Sequence, residues 1–81
     1  MSTVIRALGC RFQINSNDHG EPHCHVIGHG NEAKMSLLNF NILGTTGFSE
    51  RDVKRLIEIA QLYQSELLAK WEEYHGKEEE N

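Results

Sequence analysis

The sequence predicts an α+β domain: an antiparallel sheet of four or five strands packed against one long C-terminal helix. Three observations predict it. Apolar and polar residues take turns through Cys10-Arg11-Phe12-Gln13-Ile14-Asn15, the alternation of a strand with one buried face. Two further strand-like runs flank His29-Gly30-Asn31, whose Gly-Asn pair is a hairpin signal. From Val53 to Tyr74 the apolar residues recur at steps of three and four, the stripe of an amphipathic helix.

In chain order, Val4 to Leu8 makes the first strand, with Gly9 at a turn or bulge. The second places Cys10, Phe12 and Ile14 on one face. Asn15 to Pro22 is turn-rich, and its proline disfavours helix at Glu21. His23 to Gly28 is the third strand and Ala33 to Leu37 the fourth, while residues 40–43 add a short fifth. The helix start is well marked: Ser49 stands three residues before Asp52 in a capping-box pattern, and Phe48 is placed to staple to Val53. Val53, Leu56, Ile57, Ala60, Tyr63, Leu67, Trp71 and Tyr74 form the buried stripe, and Gly76 supplies a C-terminal stop. A single helix over 49–74 would be ~39 Å long, so it either bends near residues 61–65 or overhangs the sheet. Ile59, Leu62 and Leu68 fall off the stripe and widen the apolar face, a surface for self-association or a protein partner.

A chain of 81 residues is one domain in which nearly every apolar side chain is needed for the core. We assign residues 1–76 to that domain and 77–81 to a frayed acidic tail. Hydrophobic content of 38% with a quarter of residues charged reads as a soluble globular protein. The first residues lack the apolar core of a signal peptide and no stretch is long enough to cross a bilayer, so the expected location is the cytosol, without membrane contact. Cys10 and Cys24 are expected as free, core-facing thiols.

The net charge of −4 is unevenly distributed. Residues 1–48 hold three basic and three acidic residues, and 49–81 hold five basic and nine acidic. No basic stripe is present to displace counterions, which excludes strong non-specific nucleic-acid binding. Contact with RNA would be local.

Residues 17–30, NDHGEPHCHVIGHG, hold four of the five histidines. In a strand His23 and His25 share one face while Cys24 and Val26 point to the other. His19 lies across a turn from them, and Asp18 or Glu21 can supply a carboxylate. His29 has the same parity, subject to a register break at Gly28. A metal site of His19, His23 and His25, with zinc as the ion, meets the three-ligand requirement of an open site. Alternatively, His23 and His25 act as acid and base in metal-independent RNA cleavage, with Arg11, Arg6 or Lys34 holding the phosphate. A third reading has the rings hydrogen-bond turn carbonyls and fix the hairpin. Cys24 is a poor nucleophile candidate because alternation turns it from both neighbours. Gly44-Thr45-Thr46-Gly47 lacks the lysine and spacing of a phosphate loop.

Asn17-Asp18-His19, Pro22-His23-Cys24-His25-Val26, Ala33-Lys34, Gly47-Phe48-Ser49 and Leu67-Leu68-Ala69-Lys70-Trp71 together resemble a bacterial family of domains of unknown function, numbered four-one-six-zero. The resemblance covers nearly the whole chain. Its motif falls on His19, Pro22, His23, His25 and Lys34, with Glu21 where members have a second proline and Cys24 where valine is common. What the resemblance implies is a component of a toxin–antitoxin-like pair. The leading expectation is thus a small cytosolic interaction module, homodimeric or bound to a protein partner, whose histidine face and helix contact that partner and RNA.

Overall fold

The computed structural model describes residues 2–79, with side chains through His75. Five strands come first: β1 (Ser2–Ala7), β2 (Cys10–Ile14), β3 (His23–Gly28), β4 (Asn31–Ser36) and β5 (Ile42–Thr46); two helices follow, α1 (Glu50–Leu62) and α2 (Gln64–Glu79). The sheet order is β1-β2-β3-β4-β5, every neighbour antiparallel. This is the α+β class expected, with the larger strand count.

The first, fourth and fifth strands differ from the expected bounds: β1 starts at Ser2 and ends at Ala7 rather than running from Val4 to Leu8, and turn geometry shifts β4 and β5. His29 and Gly30 both take left-handed φ, 54° and 76°, the two-residue turn whose twist matches a hairpin. Asn31 therefore already pairs with Gly28, and β4 starts two residues before Ala33. After β4, the Ser36 hydroxyl accepts from the backbone N–H groups of Leu38 and Asn39, and Phe40 takes φ 62°. That loop delays β5 to Ile42.

Strand parity is as expected. Phe12 stands opposite Val26, Val26 opposite Ala33, and Cys24 opposite Met35. These residues form one buried cluster with Cys10, Ile14 and Leu37, closed by Leu56 and Ala60 of α1 and Leu67 and Trp71 of α2. Each large aliphatic or aromatic side chain in it contributes about 1.5–3 kcal/mol of hydrophobic stabilisation. Both cysteines are free and buried. Burial pushes the Cys24 thiol up to about 12, and burial together with the Asp52 charge raises that of Cys10.

The helix starts where its capping pattern places it. Ser49 Oγ accepts from the Asp52 N–H at 3.1 Å and the Ser49 carbonyl accepts from Val53 N–H at 2.9 Å, while Glu50 and Asp52 favour the positive end of the helix dipole. It is not one long helix. At Tyr63 the backbone leaves helical geometry, with φ −110° and ψ 21°, inside the 61–65 window that the length argument singled out. The break lets Leu56 and Ala60 on one side and Leu67 and Trp71 on the other reach the same core. Gln64 Nε2 fastens the junction by donating to the Leu37 carbonyl at 2.7 Å.

Two further expectations need correction. Gly76 does not stop the chain's helix, because α2 runs through it to Glu79; the strong helix formers on either side carry one glycine at about 1 kcal/mol. Of the widened apolar face, Ile59 and Leu68 are half-buried against the core, and only Leu62 stands out, 73% exposed. The frayed tail expected at 77–81 lies outside the residues whose side chains are described. No helix among the described residues is long and apolar enough to cross a membrane.

Candidate metal centre

The centre forms where the turn before β3 folds back over that strand. His23 and His25, two apart on β3, emerge on the same face. The turn closes with Asp18 N–H donating to the Asn15 carbonyl at 3.4 Å, and Leu37 N–H donates to the Pro22 carbonyl at 2.8 Å where the turn meets the strand. This brings Asp18 Oδ2 to 2.8 Å from His25 Nε2 and 3.1 Å from His23 Nε2. The two rings meet edge to face, their centroids 5.4 Å apart. Side-chain exposure falls from 25% at Asp18 to 14% at His25 and 3% at His23.

Each ring is also held from behind. His23 Nδ1 lies 2.8 Å from the Glu21 carbonyl, which can only accept, so this nitrogen carries the proton. His25 Nδ1 faces Glu32 Oε2 at 3.2 Å. Glu21 is itself anchored, its carboxylate accepting from Ser36 Oγ at 2.8 Å. Trp71 packs on the His23 ring at 4.9 Å and His75 on Trp71 at 4.1 Å, centroid to centroid.

Counting protons shows what the arrangement asks for. All four ring nitrogens face an oxygen acceptor. Two neutral imidazoles carry one N–H each, so they satisfy the outer pair of contacts and leave two lone pairs aimed at Asp18. All four contacts are met at once only when both rings carry two protons, or when a cation replaces the two inner protons and the three side chains spread to admit it. Histidine metal ligands are ordinarily fixed this way, the ring's far N–H donating to a carboxylate or a backbone carbonyl. The inner atoms of Asp18, His23 and His25 all lie within 4.8 Å of one another, and a two-imidazole, one-carboxylate set suits zinc and other first-row divalent ions. At Asp18, burial raises the carboxyl, but the hydrogen bonds and charges of His25 and His23 outweigh it and hold it below the usual carboxylate range.

The model of a domain of unknown function, DUF4160, matches residues 9–72. The chain belongs to that family. The DUF4160 match runs from the β1–β2 turn into α2 and so takes in Asp18, His23, His25, Glu32 and Trp71. No curated protein and no solved structure matches the chain.

In this DUF4160 domain the residues singled out from the sequence are only partly brought together. His23 and His25 meet; His19 is exposed and is not one of the three clustered residues, and its neighbour Asp18 takes the third place. Lys34 stands directly across from His25 on β4. Arg11 is exposed on β2 with its Nε donating to Gln13 Oε1 at 3.2 Å, and Arg6 is its partner across β1. His29 is spent elsewhere, its Nε2 3.1 Å from the Leu8 carbonyl in the neighbouring turn. Sequence reasoning missed Glu32 and the Trp71 cover. The first was within reach: in the tight hairpin Glu32 pairs with Ile27, on the same face as His25. The second depends on the break at Tyr63 and carries no local signal.

Proposed function

We propose that this domain binds a divalent transition-metal ion, zinc being the first to test, through Asp18, His23 and His25. The observation that carries the reading is the pair of imidazole Nε2 atoms converging on one carboxylate oxygen while the outer nitrogens are held by Glu21 and Glu32. Three protein ligands leave a coordination position for water or a small ligand, the arrangement of an open rather than a purely structural site. The test is thermal denaturation of untagged protein with added zinc. A ligand that binds only the native state at a hundred times its Kd adds about 2.7 kcal/mol. An unchanged melting temperature at zinc far above micromolar levels defeats the reading.

The interaction-module reading, of toxin–antitoxin type, draws support from the family resemblance and from Leu62, exposed at 73%. Sedimentation is expected to find a dimer or a complex that Leu62→Glu weakens; a strict monomer without a recoverable partner counts against it. Metal-independent RNA cleavage by His23 and His25 has less support, because the His23 side chain is 3% exposed beneath Trp71 and offers a substrate phosphate little access.

A further inference from the structure

We infer that a groove beside the metal centre, sharing His25 with it, takes a small oxyanion, a phosphate or carboxylate group, with Lys34 holding the anion and the charge of the loaded ion favouring it. This deepens the metal reading and rests on it. The groove, of about 230 Å³, is lined by His25, Glu32, Lys34, Gly44, Thr45 and Thr46. That volume suits a small head group rather than a large organic ligand.

Register explains the opening. His25 pairs with Lys34, and Lys34 with Gly44, so the three form one row across β3, β4 and β5 on the same face. Glycine ends that row without a side chain, and a Cβ built at position 44 would meet nothing within 4 Å. The absence of a side chain there keeps the space beside Lys34 clear. Lys34 is half-buried, yet among the described residues it makes no ion pair or hydrogen bond. Lys34, half-buried as a residue and with no partner for its ammonium, stands one strand from a candidate metal ligand and is placed for an anionic guest.

Charge makes the binding conditional. With neutral rings, Asp18, Glu21 and Glu32 outweigh Lys34 and the cluster is net negative, which repels anions. A bound divalent ion cancels that excess, so the groove accepts an anion only when the centre is loaded.

The test is calorimetry in two stages, zinc into metal-free protein and then methyl phosphate or acetate into the zinc-loaded protein. The same titrations are run on Lys34→Met, which keeps the apolar stem, and Gly44→Val, which fills the groove from a strand position that accepts a β-branched residue. We expect anion binding only in the loaded form, weakened about tenfold or more in each variant, with zinc affinity unchanged; the tighter of the two anions identifies the head group. Zinc binding without anion binding, or anion binding equal in both variants and the parent, overturns this inference and leaves the metal centre standing. Failure of zinc to bind overturns both.

Discussion

The indole of Trp71 and the imidazole of His23 lie 4.9 Å apart, centroid to centroid. The chain's single tryptophan is thus built against one member of the candidate ligand set. Its fluorescence is expected to change saturably with added zinc and to be quenched by copper(II), in step with the rise in melting temperature. Asp18→Asn, which replaces a carboxylate ligand at a partly exposed position, is expected to abolish the response while leaving the apo protein folded. An identical titration curve in that variant would exclude Asp18 as a ligand.

Acid is expected to weaken the metal-free protein through Asp18. Its folded-state carboxyl lies below the ordinary range, so its contribution is fully present above the unfolded-state value and is lost as pH falls through the lower folded one. Hydrogen bonds to charged groups of this kind are worth about 1.5–3 kcal/mol. Urea unfolding of the parent and of Asp18→Asn should therefore differ most near neutral pH and converge on acidification. A constant gap across that range would assign the difference to another group.

Neither thiol is expected to react in the native state. Cys24, pushed up to about 12 by burial, and Cys10, 4% exposed with its own value raised, lack both thiolate and access. Iodoacetamide at neutral pH should leave both unlabelled until denaturant is added, as read by mass spectrometry. Cys24→Val is expected to cost less than about 1.5 kcal/mol, as a near volume-conserving change in an apolar site.

Gly9 and Gly30 separate backbone strain from crowding. Both take positive φ, 73° and 76°, but a Cβ at Gly9 would stand 2.5 Å from His29 Nε2, whereas one at Gly30 meets nothing within 4 Å. Alanine at Gly30 is expected to cost about 1 kcal/mol from strain alone. At Gly9 it should cost measurably more, since it also displaces the His29 ring from the Leu8 carbonyl. Equal melting temperatures for the two variants would show that the ring yields freely.

The features legible in the sequence were those fixed by local chemistry. Alternation put Phe12, Cys24 and Val26 inward and His23 and His25 together on the other face, and Ser49 with Asp52 marked the helix start. The features that were not legible depend on contacts between distant segments. Nothing near Tyr63 announces that Leu56 and Trp71 must serve one core, so the helix read as a single rod. His19 looked the better metal ligand by residue type, yet which of two neighbours in a turn points inward is decided by the turn's backbone, and here Asp18 does. That His23 is covered while His25 remains half-open follows from where α2 lands, which strand parity does not encode.

The meander has one more consequence. Asp18, His23, His25 and Glu32 are joined by a turn and a single tight hairpin, so closing the loops between them costs little chain entropy, and such short-range strand pairings favour rapid folding. A short, contiguous run of chain writes the whole cluster, so an insertion within that run threatens every ligand at once, while changes elsewhere reach it at second hand, through the indole lid or through the Ser36 and Leu37 contacts with the turn.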